Sequence, residues 1–348
     1  MELCLLMTRR SFGGSWFNCE LELRKLQALA DREETHAQAL LASVFYRHRI
    51  SKRMVSDEEA ASQVHHYAKM ASNSSSLGLT LLGYVYLDGL SVEKDAHRAV
   101  EILREAVEKG NPAAKSSLSY CLERGIGTKH DRAQSLCLLQ ESAGQGYAAA
   151  LFKLGCYHQY GQAGVTVDAA KAFKLFLEAS QQGHPAAMNQ LAISFQHGRA
   201  VAVDDAEALR WYERASAAGD RDGIYHLALC FRNGIGETAP DDARAVELYR
   251  KSGELGHPQA LYNLGCCYMN GVGVAKDSQK AVECYRKAVE HGDMDAHVNL
   301  AKCLMTGDGV AADQAEAQRH LIAAGENGHP TGISFAKFHK MVHPNPSM

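Results

Sequence analysis

Apolar and polar positions along the chain fall into a pattern that repeats itself. The motif (A/G)-x-x-x-L-(G/A/S) recurs as GLTLLG, AKSSLS, ALFKLG, AMNQLA, GIYHLA, ALYNLG and AHVNLA, beginning at Gly78, Ala114, Ala150, Ala187, Gly223, Ala260 and Ala296. Successive starts differ by 36, 36, 37, 36, 37 and 36 residues. Such a fixed period is the mark of stacked repeats. Within one copy, Ala260, Leu264, Cys267 and Tyr268 lie at i, i+4, i+7 and i+8, one face of a helix with 3.6 residues per turn.

The polar punctuation has the same period. Gly271 and Gly273 follow the helix, and glycine enters the left-handed C-cap conformation without a Cβ penalty. An aspartate then precedes a second helix in every copy, at Asp95, Asp131, Asp168, Asp204, Asp241, Asp277 and Asp313. Its carboxylate can accept the unpaired N–H groups of the first turn. Small residues such as Ala281 and Ala288 on that second helix allow close approach of neighbours. A closing glycine ends it, and Pro112, Pro185, Pro258 and Pro330 follow two residues later, where a missing N–H costs nothing.

Each copy therefore predicts helix, turn, helix. A pair of helices cannot bury its apolar faces alone, so stacking on neighbours must supply the core. The expected fold is all-α, an α-helical solenoid of seven helix-turn-helix repeats over residues 78–331, with a concave and a convex surface. Residues 35–77 read as a degenerate repeat, AQALLASVFY and DEEAASQVHHYAKMA being its two helices. The loop between them, RHRISKRMVS, carries Arg47, Arg49, Lys52 and Arg53, a solvated linker or a docking patch for an acidic partner. Residues 1–34 form an N-terminal segment with a capping helix near 18–31. Residues 332–348 read as a C-terminal half-repeat and tail.

These motifs resemble those of the Sel-one-like repeat (SLR) family, a relative of the tetratricopeptide repeat. The family pattern A-x-x-x-L-G-x-x-Y-x-x-G-x-G-V-x-x-D-x-x-K-A-x-x-W-Y-x-x-A-x-x-x-G is matched most fully by ALYNLGCCYMNGVGVAKDSQKAVECYRKAVEHG, from Ala260 to Gly292. The resemblance covers 78–331 and, weakly, 35–74. It implies a right-handed α/α superhelix and a role as adaptor or scaffold, without implying a particular partner. Cysteine-rich secreted members pair a cysteine between the helices of every unit. Here only two units hold cysteines in both helices, Cys121 with Cys137 and Cys266/Cys267 with Cys284, against a disulfide-stapled reading.

Composition narrows the function. With 46% hydrophobic and 22% charged residues and a formal net charge of −3, nothing in the bulk charge calls for nucleic acid or anionic lipid. No apolar run approaches the roughly 18 residues that span a bilayer. Ten cysteines without secretory context are expected to be reduced thiols. The start, MELCLLMTRRSFGG, places its apolar patch before the arginines, the reverse of a secretory signal. The expected compartment is cytoplasmic, with a mitochondrial alternative resting on Arg9 and Arg10.

Candidate chemistry is outweighed by architecture. The glycine pairs Gly125/Gly127, Gly234/Gly236, Gly271/Gly273 and Gly307/Gly309 join helix to helix, whereas phosphate-binding glycine loops normally follow a strand. Cys121, Cys230, Cys267 and Cys303 share the packing phase. Cys156 and Cys266 lie about 100° round the helix and are expected to be more accessible than those four. No CxxC or HExxH motif suggests a metal, and no nucleophile-base arrangement suggests catalysis, so no cofactor is expected.

By analogy with tetratricopeptide repeats, first-helix positions beside the packing face should line the concave surface. They are Tyr84, Tyr120, Arg124, Phe152, Tyr160, Asn189, His197, Tyr225, Arg232, Asn233, Tyr262, Asn263, Met269, Asn270, Asn299 and Lys302. Aromatic and arginine side chains are favoured interface anchors. Asn263 and Asn299, in one phase of consecutive repeats, could hold the backbone of an extended peptide. The expected function is a non-enzymatic adaptor binding a protein or peptide segment, with oligomeric state open. The alternative is a thiol-dependent mitochondrial redox or cofactor assembly factor.

Overall fold

The computed structural model describes residues 30, 32, 34–51, 57–236 and 239–334. Among them are sixteen α-helices and no strand. Helices α1 (Thr35–Ser51) and α2 (Asp57–Ser72) precede seven helix pairs. The pairs are α3 (Ser76–Asp88) with α4 (Ala96–Glu108), α5 (Pro112–Arg124) with α6 (Arg132–Gly144), and α7 (Ala148–Tyr160) with α8 (Ala169–Gln181). They continue as α9 (Pro185–His197) with α10 (Asp205–Ala217) and α11 (Arg221–Asn233) with α12 (Asp242–Glu254). The last are α13 (Pro258–Asn270) with α14 (Ser278–Glu290) and α15 (Met294–Thr306) with α16 (Gln314–Glu326). Two compact units divide this series, residues 1–184 holding α1 to α8 and residues 185–348 holding α9 to α16.

The all-helical expectation holds, with local adjustments. First helices begin two residues ahead of the motif, because proline opens α5 and α13 and the cap sits just before it. Asn111 accepts from the Ala114 N–H at 3.1 Å, and His257 from that of Ala260 at 3.2 Å. Helix α1 runs to Ser51, so the expected loop 47–56 starts as helix. Lys52 and Arg53 lie outside the described residues. Of the capping helix near 18–31, Ala30 is described, helical and buried. A helical turn opens at Pro330, and the half-repeat and tail beyond residue 334 lie outside the described residues.

Every recurring aspartate caps its second helix. Asp95, Asp131, Asp168, Asp204, Asp241, Asp277 and Asp313 each accept, through Oδ1, the N–H three residues on at 2.8–3.0 Å. Small motif residues set the packing within a pair. A Cβ at Gly155 or Gly265 would stand 2.6 Å from the ring of Phe176 or Tyr285, so these aromatics seat directly on the first-helix backbone. The second glycine of each GxG sets the packing between repeats. Gly273, at φ +66, lies so close to the Asp242 carbonyl of the preceding second helix that no side chain fits. Gly127 and Gly309 meet Ala96 and Ser278 in the same way.

The core runs along the stack within each unit. Ala260, Leu264, Cys267 and Tyr268 are buried as their spacing demands, and Ala281 and Ala288 are inaccessible to solvent. Burying one leucine or phenylalanine side chain contributes roughly 1.5–3 kcal/mol. The packing phase of Cys121, Cys230, Cys267 and Cys303 is confirmed by their burial.

Candidate functional site

Taking the first motif residue as position one, positions three, seven and eleven form a stripe along each first helix. Position three is Thr80, Ser116, Phe152, Asn189, Tyr225, Tyr262 and Val298. In several repeats it bridges to the next. Phe152 stacks on His184 with ring centroids 4.7 Å apart, and Tyr225 stacks on His257 at 4.3 Å.

In the unit of residues 185–348 this bridge becomes a polar ladder. His226 Nδ1 lies 3.0 Å from Asn189 Oδ1, and since an amide oxygen only accepts, the imidazole proton sits on Nδ1. The Asn263 amide donates to the Tyr225 hydroxyl. The Asn299 amide donates to the Tyr262 hydroxyl at 3.4 Å and reaches Cys266 Sγ at 3.8 Å. Each rung joins position three of one repeat to position four of the next. This corrects three expectations: Asn189 is 4% exposed, and Asn263 and Asn299 spend their amides between repeats rather than holding them out for a peptide backbone. Tyr225 and Tyr262 are likewise partly buried bridging groups.

Cys156 and Cys266 are partly exposed where Cys121, Cys230, Cys267 and Cys303 are buried, as their phase implies. Among the described cysteines the most exposed is Cys137, on α6, which sequence reasoning did not single out and whose Sγ donates to Glu141 Oε1 at 3.6 Å. Burial pushes Cys156 up to about 11, Cys230 to about 12 and Cys284 to about 11, which keeps them protonated and poor nucleophiles near neutrality. Cys266 accepts from the Tyr285 hydroxyl at 3.5 Å. No group of three or more metal-ligating side chains occurs among the described residues.

Other expected positions do face solvent. Tyr120 is 50% and Tyr160 55% exposed, and Arg124, His197, Arg232, Asn233, Asn270 and Lys302 are exposed too. The Arg124 guanidinium lies 6.0 Å from the Tyr120 ring centroid, and Arg232 sits beside the Tyr249 hydroxyl. Met269 and Phe152 are partly buried.

In the unit of residues 1–184 the stripe opens into a cleft of about 300 Å³. Its walls are Tyr46 of α1, Tyr84, Leu87 and Asp88 of α3, Ser116, Ser117 and Tyr120 of α5, and Tyr147 and Ala149 at the start of α7. Position three in its lining is Ser116, a small residue where Phe152, Tyr225 and Tyr262 carry rings. The Tyr46 and Tyr84 rings lie 5.2 Å apart, tilted by 32°. The Tyr46 hydroxyl donates to Asp88 Oδ2 at 3.1 Å. Ser117 Oγ gives its proton to the Ala113 carbonyl at 2.9 Å, so the Tyr84 hydroxyl, 2.7 Å away, donates to Ser117. Burial holds the Tyr84 phenol well above its ordinary range.

Two local rules are broken at this cleft. Tyr147 occupies the N-cap of α7 and makes no side-chain cap bond, whereas Asn111, Asp220, His257 and Asp293 all cap their first helices. A cap is worth about 1 kcal/mol. Asp88 puts a negative charge on the last residue of α3, where the helix dipole disfavours it; the same position elsewhere holds Arg124, Tyr160, His197, Asn233, Asn270 and Thr306. Sequence reasoning found Tyr84 and Tyr120 of this cleft but missed Tyr46, Asp88 and Tyr147. The missing cap and the misplaced charge were signals available to it.

Among the described residues no helix is long and apolar enough to cross a membrane. Comparison with known proteins bears on both fold and family. The fold is similar to that of the Escherichia coli protein c5321, a protective antigen of uropathogenic strains displaying an SLR fold, at 28% identity and TM-score 0.59, covering 91% of this chain and 67% of that one. It is also similar to a Sel1 repeat protein from Oxalobacter formigenes, at 24% identity and TM-score 0.61, covering 96% and 92% of the two chains. Among curated proteins, chitin synthase regulator SKT5 of Saccharomyces cerevisiae is 31% identical over 88 residues, 25% of this chain and 13% of its own length. Chitin synthase regulatory factor 3 of Schizosaccharomyces pombe is 25% identical over 99 residues, 28% of this chain and 11% of its own. The chain thus spans only a small part of the length of these fungal relatives. The Sel1 repeat pattern itself matches residues 76–111, 112–147, 148–184, 185–220, 221–257, 258–293 and 295–329, and the chain belongs to the Sel1 repeat family.

Proposed function

We propose that this protein is a non-enzymatic adaptor that binds a segment of a partner protein on the solvent-facing stripe of its first helices. The observation that carries the reading is the tyrosine-lined cleft: Ser116 stands at position three where Phe152, Tyr225 and Tyr262 carry rings, and Tyr147 stands beside it at a helix start without a side-chain cap bond. Aromatic side chains in a concave, partly apolar site supply large contact area at low entropic cost. Two fungal relatives are named as regulators of chitin synthase, which accords with a repeat array acting on a partner. The elevated thiols of Cys156, Cys230 and Cys284 give no support to a thiol-dependent mechanism.

The test is affinity capture with the full chain and a variant carrying Tyr120→Ser and Tyr160→Ser, both substitutions lying outside the packed core. Circular dichroism and the unfolding midpoint should match the wild type, while specific partners are recovered at least about tenfold less, as expected for loss of two anchor residues. Undiminished recovery would remove the stripe as the binding surface.

A further inference from the structure

We propose that His297 and His320 form a chelating site for one divalent transition-metal ion of the zinc, nickel and copper group. The inference is independent of the adaptor reading. His297, on α15, is the second motif residue of its repeat, and His320, on α16, stands seven residues after the capping Asp313. In the other repeats these two positions carry packing residues, as in Met188 with Trp211, Ile224 with Leu248 and Leu261 with Cys284. Ile224, Leu261 and Cys284 are buried there. Neither position holds a histidine in any other repeat, and in the last repeat both do. Two apolar partners have been exchanged together for two metal-ligating side chains. A joint departure from the local packing rule is expected where function selects the residues.

The rings meet Nδ1 to Nδ1 at 2.9 Å, with centroids 5.1 Å apart. Between two neutral imidazoles one nitrogen donates and the other accepts. His320 Nε2 lies 3.6 Å from Glu316 Oε1, which favours the proton there and leaves His320 Nδ1 as the acceptor. An ion about 2.0–2.1 Å from each nitrogen needs the two about 3 Å apart for a right-angled pair and about 3.4 Å for a tetrahedral one. The nitrogens already stand close to that spacing. Turning the rings to aim both lone pairs at one point, with the His297 proton carried on Nε2 instead, completes the site. Glu316 is itself held by Arg286 at 2.6 Å, and a carboxylate behind a ligating histidine fixes its tautomer and orientation. Both rings are partly exposed, which leaves the ion a path of entry and leaves water to fill its remaining positions. Imidazole nitrogen suits zinc, nickel and copper.

The experiment uses the full chain carrying Cys137→Ser, which removes the most exposed described thiol, with carbon-13 at histidine Cε1. The two ring signals are assigned through His297→Gln and His320→Gln, and zinc chloride alone is titrated by NMR. Both signals are expected to move together and to saturate at one ion per chain. Each single variant should weaken zinc binding at the remaining ring at least tenfold, because one imidazole has no chelate partner. The double variant His297→Leu with His320→Leu restores the apolar pairing of Ile224 with Leu248, and serves as the folded control. It should keep the thermal midpoint of the zinc-free parent and lose the rise in midpoint that zinc gives the parent. Signals unmoved by excess zinc, movement of one ring alone, or an unchanged affinity in the single variants would each overturn the site. A zinc-induced rise that persists in the double variant would place the ion elsewhere and overturn it equally.

Discussion

The buried amide oxygen of Asn189 accepts the Nδ1 proton of the half-buried His226. Asn189→Ala is therefore expected to remove that hydrogen bond and destabilise its unit by about 1 kcal/mol, read from the urea midpoint. A midpoint unchanged within error would show that the rung contributes nothing. The same residue marks a limit of reading from sequence. Its angular position on α9 was legible from the 3.6-residue period. What covers that position was not, because the covering ring lies 37 residues away in the next repeat. Tyr120 and Tyr160, by contrast, are half exposed.

At the scale of the element, the devices that end and begin helices were the most legible, because they act over three or four residues. The seven aspartate caps and the proline starts follow from local geometry alone. The two glycines of a GxG look alike in sequence yet do different work. Gly271 is a left-handed C-cap, at φ +70, with its nearest neighbour 3.4 Å from an added Cβ. Gly273 is equally left-handed but also abuts the backbone of α12. Gly271→Ala is expected to cost about 1–2 kcal/mol, the ordinary penalty for a left-handed alanine. Gly273→Ala should exceed it, since two helices must also separate. Paired thermal unfolding of the two variants checks this, and equal losses would mean that the close contact carries no energy. No periodicity distinguishes these glycines; the difference arises only when one repeat docks on another.

Across the whole molecule, ionisation couples these local arrangements to pH. His184, His226, His257, His297 and His320 are all pulled below 6.5, burial being the main cause in each. Asp222 pulls His226 and His257 back upward, and Glu316 does so for His320, without reversing the direction. His297 and His320 meet Nδ1 to Nδ1 at 2.9 Å, a contact that needs one ring unprotonated. A histidine whose folded pKa is lowered leaves the unfolded chain binding more protons between the two values. Its stabilising effect is complete above about 6.5 and is lost as pH falls from there through the folded pKa. Thermal midpoints should thus decline between pH 7.5 and 5.5, and a flat profile over that range would contradict the burial of these rings. The repeat period and fold class were legible at this scale because seven copies reinforce one weak pattern. The cleft was not, since its lining gathers Tyr46, Tyr84, Tyr120 and Tyr147 from helices far apart in sequence.

The ladder carries an implication for how such an array can grow. Residues 258–293 hold both halves of a rung, Asn263 reaching back to Tyr225 and Tyr262 reaching forward to Asn299. A tandem duplicate of this segment would meet itself with the same tyrosine–asparagine contact that it now makes on either side. A duplicate of 221–257 would instead set Tyr225 against His226, a junction that this unit does not contain. Lengthening by gene duplication therefore has a self-compatible module ready at 258–293, and the order of the remaining repeats is fixed by the partners that their neighbours supply.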